Sequence, residues 1–266
     1  MNLTIFTVVL DGMPFCQWHL PIFNRLKIPW NWIICHGTAQ NNQSTSWCNP
    51  QKPRLSNDGT TEYLKSIRGD GITVIQKKNW HSKDEMVNAA LVKLNEPCVL
   101  MEIDVDEIHT SENIQSIVEL FSSDESLGMI RMPCRFFVGK DLVCEGENCW
   151  SNHKDYEWDR AWRFQPEIRF VTHEPPKLNR LLGRTMNQEE SKKHGLTFDH
   201  FAYALPKQVE YKEAFYGYRG LVNQWRALQE YRQFPARLCR FFPFVDERTI
   251  VRRLDAEQID KRFTQM

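Results

Sequence analysis

No stretch of this 266-residue chain approaches the roughly 18 consecutive apolar side chains that a membrane-spanning helix needs. No Cys-x-x-Cys pair occurs among its eight cysteines, which removes the strongest zinc and dithiol signatures. Cys144, Cys149 and His153 come nearest to a ligand set, and their spacing fits no strong zinc pattern. Net charge is missing too: 34 Lys+Arg balance 34 Asp+Glu, so no global field draws the chain to nucleic acid, and no such partner is expected. The apolar start Leu3 to Leu10 lacks the basic region of a signal peptide and runs straight into Asp11-Gly12. Internal repeats and low-complexity segments are absent. What remains is the expectation of a soluble, cytoplasmic protein, at most peripheral to a membrane.

Hydrophobic residues make up 41% of the chain and charged residues 26%, the composition of a globular protein with a sizeable core. Several cysteines lie within apolar runs, such as Cys35 after Trp32-Ile33-Ile34 and Cys98 before Val99, where a free thiol acts as a small hydrophobe. That usage points to a reducing compartment. Charge is unevenly placed: from Pro206 onward there are 12 Lys+Arg against 8 Asp+Glu.

The first 106 residues alternate strand and helix patterns. Leu3 to Leu10 reads as a buried strand and Phe15 to Leu26 as a helix. Trp30 to Cys35 reads as a second strand closed by His36-Gly37, and Thr38 to Pro53 as a polar loop. A turn at Asn57-Asp58-Gly59 feeds a helix capped near Thr60 or Thr61, and Ile72 to Gln76 is a third strand. Ser82 with Glu85 three residues on is a capping box that opens a helix to Asn95. Val99 to Ile103 is a fourth strand. This alternation predicts an α/β fold with a mostly parallel sheet. Shorter strand patterns and a helix at Asn113 to Phe121 follow, and Pro206 to Arg232 is helical in pattern. The chain reads as a single domain with halves at 1–110 and 111–205 and a helical C-terminal extension at 206–266.

The fourth strand ends in Asp104-Val105-Asp106-Glu107. Carboxylates at i and i+2 share a face of a strand, and hard cations such as Mg2+ or Mn2+ take carboxylate oxygen and bridge phosphates. Ligands of open α/β sheets sit at the carboxyl ends of strands, where this pair lies. The bland alternative is a polar strand-to-loop boundary.

Four features occur in order: Asp11-Gly12-Met13-Pro14-Phe15, Asn57-Asp58-Gly59-Thr60-Thr61-Glu62, Asn79-Trp80 with Lys83 and Asn88-Ala89-Ala90-Leu91, and Ile103-Asp104-Val105-Asp106-Glu107. That order resembles family 2 glycosyltransferases of the GT-A fold, well over residues 3 to 110 and loosely from His173-Glu174 to His200. The resemblance implies a GT-A-like (Rossmann-like) central sheet flanked by helices, with a smaller mixed sheet and a helical C-terminal segment. It also implies a metal-dependent transfer, inverting in stereochemistry, from a nucleoside-diphosphate sugar to a glycan or glycolipid hydroxyl. Asp104 and Asp106 would hold Mn2+ or Mg2+. His200 would complete the metal shell, with His173 as rival. Glu174 would be the base, with Asp159 as the alternative. Asp11, His36 and Asp58 would line the nucleoside pocket, and Lys83 would steady phosphate. Trp80, Trp150, Trp158 and Trp162 are candidates for stacking on sugar rings or for the core, and Glu107 has no assigned role. Two departures stand out. The polar stretch Thr38 to Ser56 separates the second strand from Asp58-Gly59-Thr60-Thr61, and the Glu-Asp pair that often supplies the base is missing.

Two other readings compete. One is a sugar-phosphate nucleotidyltransferase, although Asp11-Gly12-Met13-Pro14 lacks the basic glycine-rich loop such enzymes use. The other is a non-catalytic carbohydrate-binding protein on the same fold. In the basic tail, Lys207, Lys212 and Arg219 suit a lid over a diphosphate. Arg232 to Arg240 with Phe234, Phe241 and Phe242 suit an anionic membrane bearing a lipid-linked acceptor. The same residues also suit a helix packed on the core.

Overall fold

A computed structural model describes residues 1–67, 69–145 and 158–265. Cys149, Trp150 and His153 lie outside the described residues. The chain divides into two compact units, residues 1–132 with 159–196, and residues 133–158 with 197–266.

The first unit begins β1 (Leu3–Val9), α1 (Cys16–Phe23), β2 (Trp30–Ala39), α2 (Thr60–Ser66), β3 (Ile72–Trp80), α3 (Lys83–Leu91) and β4 (Cys98–Glu102). It continues with β5 (Glu107–Ile108), α4 (Ser111–Ser123) and β6 (Leu127–Met132). After the strands β7 (Cys134–Phe136) and β8 (Leu142–Glu145) of the second unit, the chain returns through β9 (Trp158–Phe164), β10 (Phe170–Thr172), β11 (Lys177–Leu178), β12 (Arg184–Met186) and α5 (Gln188–Lys193). Seven strands form one sheet in the order β12-β6-β9-β4-β1-β2-β3. β1 pairs parallel with β2 and β4, β2 with β3, and β6 with β12, whereas β9 runs antiparallel to β4. The expected α/β fold with a mostly parallel central sheet flanked by helices is therefore the one found. Its core strands are covered on both faces, so they read as near-continuous apolar runs: every residue of β4 is buried.

The second strand is longer than its composition suggests. β2 continues through Gly37 to Ala39, with its register against β3 shifting between His36 and Thr38. Gly37 makes this bulge (φ +129°), and a Cβ there would lie 1.9 Å from the Lys77 carbonyl oxygen. The glycine that marks a strand end in the sequence is thus a bulge that lets the strand go on. The capping reading of α3 holds at its centre, because Ser82 Oγ accepts the Glu85 N–H at 3.0 Å. The Glu85 carboxylate instead accepts from His81 N–H and Lys77 Nζ.

The second unit holds β7 and β8, then β13 (Phe198–His200), α6 (Pro206–Tyr216), α7 (Leu221–Glu230), β14 (Ala236–Arg237) and β15 (Ile250–Arg253). β13 runs parallel to β7, and β14-β15-β8 form an antiparallel sheet. The 206–232 pattern is two helices, broken where Gly217 (φ +73°) and Gly220 (φ +81°) take left-handed conformations open to glycine. Val209, Phe215, Trp225 and Leu228 are buried as expected, while Tyr218 is half-buried. Past Glu230 the chain returns to short strands rather than staying helical. Phe242 is fully buried, and Phe234 and Phe241 both pack on Tyr231. No described helix is long and apolar enough to cross a membrane.

Candidate active site

The Asp104-Val105-Asp106 turn is pinned from three sides. Thr7 on β1 donates its hydroxyl to the Ile103 carbonyl at 2.7 Å. His19 on α1 donates Nε2–H to the Val105 carbonyl at 2.8 Å. The Asp11-Gly12 turn presses so close that a Cβ on Gly12 would lie 2.8 Å from Val105 Cγ2. The carboxyl ends of β1 and β4 are thereby held side by side.

Beneath this turn lies an ionic cluster centred on Arg160. Its guanidinium donates to both Glu107 oxygens, at 2.6 to 3.0 Å, and lies 3.4 Å from Asp104 Oδ2 and 3.7 Å from Glu102 Oε2. Glu107 also accepts the Asp104 N–H at 3.2 Å. Glu102 meets the buried His173 ring at 2.5 Å through Nε2. Burial first, then the Glu102 charge, pushes the Asp104 carboxyl up to about 6, against the pull of Arg160. Burial pushes Glu107 up to about 8, again opposed by Arg160. Against the cost of burial, Glu102 draws His173 upward, and His173 and Arg160 draw Glu102 below the usual carboxylate range. One guanidinium and one imidazole face three carboxyl groups, and Asp104 is the carboxyl of the three that reaches solvent, with 29% of its side chain exposed.

Metal fit follows from this geometry. Among the described residues no three or more His, Cys, Asp or Glu side chains gather as a cage. Mg2+ and Mn2+ sites of the phosphate-bridging kind use one or two carboxylates and take their other ligands from substrate and water. Asp104 and Asp106, at the end of β4, fit that kind of site and not an all-protein one. His173 is engaged by Glu102. His200 belongs to the second unit, where its ring packs against Trp158 at 4.9 Å and Phe136 at 5.1 Å.

A second group gathers the candidates for the nucleoside. Asp11, at φ +53°, forms a two-pronged ion pair with Arg54 and accepts the Asn57 N–H. Ser56 Oγ accepts the Asp11 N–H at 2.8 Å and meets His36 Nε2 at 2.9 Å. His36 Nε2 accepts the Ser56 N–H, so that nitrogen carries no proton, and burial lowers the basicity of the ring. Asp58 accepts the backbone N–H groups of Met13 and Thr60, closing the turn into α2. Arg54 is the residue that sequence reasoning missed here, since it sits in a polar loop with nothing local to single it out.

A third group forms at the N-terminus of α3. Lys83 is ion-paired with Glu174, both largely buried. Asp84, 2% exposed, accepts the His173 N–H at 2.9 Å on one oxygen and the Ser44 hydroxyl at 2.7 Å and N–H at 3.2 Å on the other. Asp159 lies elsewhere in the unit, taking a 2.7 Å bond from Arg131. Of the tryptophans, Trp80 and Trp162 are core residues at 3% and 1% exposure, and Trp80 donates to the His36 carbonyl, so neither is open to stack on a sugar. Trp158 packs around His200.

No protein-family profile and no curated protein matches the chain. Among solved structures it is similar to residues 1–349 of S. aureus TarS at 12% identity, over 64% of this chain and 52% of that one, with a TM-score of 0.42. It therefore spans about half the length of that structure. It is also similar to the mannosyltransferase PcManGT of Pyrobaculum calidifontis, solved with GDP-Man and Mn2+, at 12% identity over 50% of this chain and 35% of that one, TM-score 0.36. A third likeness is to a CMP:2-keto-3-deoxy-manno-octonic acid synthetase solved with CTP, at 10% identity over 75% and 90% of the two chains, TM-score 0.36.

Proposed function

We propose that the chain is a metal-dependent glycosyltransferase that moves a sugar from a nucleoside diphosphate to a hydroxyl of a carbohydrate or lipid-linked acceptor. The observation that carries this reading is the Asp104-x-Asp106 turn, fixed at adjoining strand ends above a buried cluster of carboxyl groups held by Arg160. Asp104 and Asp106 would hold a divalent ion, which would supply Lewis-acid neutralisation of the leaving diphosphate. Arg160 and Glu107 orient the turn from below. Asp11, His36, Asp58 and Arg54 bind the nucleoside through ordered hydrogen-bonding groups. Glu174, ion-paired with Lys83, is the base for the acceptor hydroxyl. Asp159, ion-paired with Arg131, is the alternative candidate.

The test is a thermal-shift screen with UDP, GDP and CMP, each with and without Mn2+. A nucleotide that stabilises the protein only with Mn2+ supports the reading, and no shift in any condition overturns it. Asp104→Ala and Asp106→Ala are expected to abolish both the Mn2+-dependent shift and turnover, while circular dichroism stays native.

A further inference from the structure

The polar segment at 40–51 is the part of the first unit with the least obvious purpose, and it is built with care. Asn42 Nδ2 donates to the His81 carbonyl at 2.8 Å, Gln40 Nε2 donates to the Gln51 carbonyl at 2.9 Å, and Gln43 Oε1 accepts from Ser82. Ser44 is bound twice by Asp84. Thr45 is fully buried and Cys48 is 5% exposed. Between them Trp47 stands 57% exposed, the most open tryptophan among the described residues.

Asp84 anchors the turn that leads to that ring. The same carboxylate binds Ser44, three residues before Trp47, and the His173 N–H, one residue before Glu174. Lys83, next in sequence to Asp84, is the ion-pair partner of Glu174. One buried side chain thus anchors both the segment that carries Trp47 and the strand end that carries Glu174.

We propose that Trp47 is a specificity-determining platform on which a sugar ring of the acceptor stacks, with its hydroxyl edge toward Glu174. Indole offers a broad, rigid apolar face at low entropic cost, and pyranose rings present an apolar C–H face that matches it. The hydroxyls at the rim of the ring are then free for the neighbouring charged pair. The proposal rests on the glycosyltransferase reading for the word acceptor. Carbohydrate binding at Trp47 is testable without it.

The experiment titrates the native protein, Trp47→Ala and Trp47→Phe with maltotetraose, chitotetraose and cellotetraose by calorimetry, with no nucleotide present. At least one sugar is expected to bind the native protein, to bind Trp47→Ala about tenfold more weakly, and to be largely restored in Trp47→Phe. The position is on the surface, so thermal melts of the three proteins should coincide. Equal affinities in native protein and Trp47→Ala, or no binding of any of the three sugars, overturns the proposal. So does Trp47-dependent binding to phosphatidylglycerol vesicles without sugar binding, which would make the ring a lipid contact. The nucleotide screen with Mn2+ is read separately: its failure alone sinks the transferase reading, and failure of the sugar titration alone sinks the role of Trp47.

Discussion

Arg160 shows what a single side chain costs and supports in this molecule. It is 4% exposed and its partners Glu107 and Glu102 are more deeply buried still. Breaking a buried pair by removing one partner typically costs about 3–5 kcal/mol because the other charge is left uncompensated. Arg160→Ala should lose stability in that range by urea unfolding, and Arg160→Lys should recover only part, since an ammonium cannot replace the two-pronged grip on Glu107. Asp104 makes a second prediction at this scale, with two opposite signs. Its carboxyl is raised from an ordinary 3.8 to about 6, so the folded chain holds that proton more tightly than the unfolded chain. Without metal, the stability this group contributes should therefore fall as pH rises from about 4 to about 6. Mn2+ needs the ionised form, so Mn2+ affinity should fall by up to tenfold per pH unit below about 6. Urea melts and Mn2+ titrations at pH 5, 6 and 7 check both signs. The sequence makes Asp104 and Asp106 visible because their spacing is local. It leaves Arg160 hidden because its partner Glu107 is 53 residues away. One sign was present: Arg160 shares a strand face with Trp162 and Phe164, and a charged residue at core register needs a buried partner.

At the scale of elements, the strand–helix alternation of the first 106 residues was readable because each element carries its own signal. β1 and β4 are apolar runs, and α3 has Ser82 at its cap. Errors arise where one residue type serves two purposes. Glycine reads as a stop, yet Gly37 is a bulge inside β2, whereas Gly217 and Gly220 do stop helices inside a periodic pattern. Gly37→Ala is expected to cost about 2 kcal/mol or more, because the new Cβ meets the Lys77 carbonyl at an unfavourable φ. Equilibrium unfolding measures this, and a neutral result would mean that the bulge can relax. The antiparallel strand β9 between β4 and β6 was equally unreadable, since strand order depends on pairing between distant segments. Asp84→Ala is expected to raise hydrogen exchange of backbone amides in residues 43–48 at least tenfold while leaving β1 and β4 protected, because the bonds it removes are those that hold Ser44.

For the molecule as a whole, zero net charge and an even composition say little about purpose. What orients the reading is the convergence of chemistry on one edge of the first unit: the Asp104 turn, the Asp11–Arg54 pair and the Lys83–Glu174 pair all stand at or just after the ends of central strands. A ligand that binds only the folded chain at 100 times its Kd stabilises it by about 2.7 kcal/mol. Mn2+ with the correct nucleoside diphosphate at that level should therefore raise the melting temperature by several degrees, and exchange protection should appear at 9–13, 54–60 and 102–107.

The anchoring of residues 40–51 through side chains has a consequence for how such a protein diversifies. The segment meets α3 and the His173 strand end largely through Asp84, Ser82 and His81, so its own sequence and length can be rewritten without disturbing the hydrogen-bond ladder of the central sheet. Variation in what this surface recognises can accumulate there while the charged machinery beneath stays unchanged. The segment is in effect a cassette clipped to a fixed frame by a handful of side-chain bonds, two of them to one carboxylate.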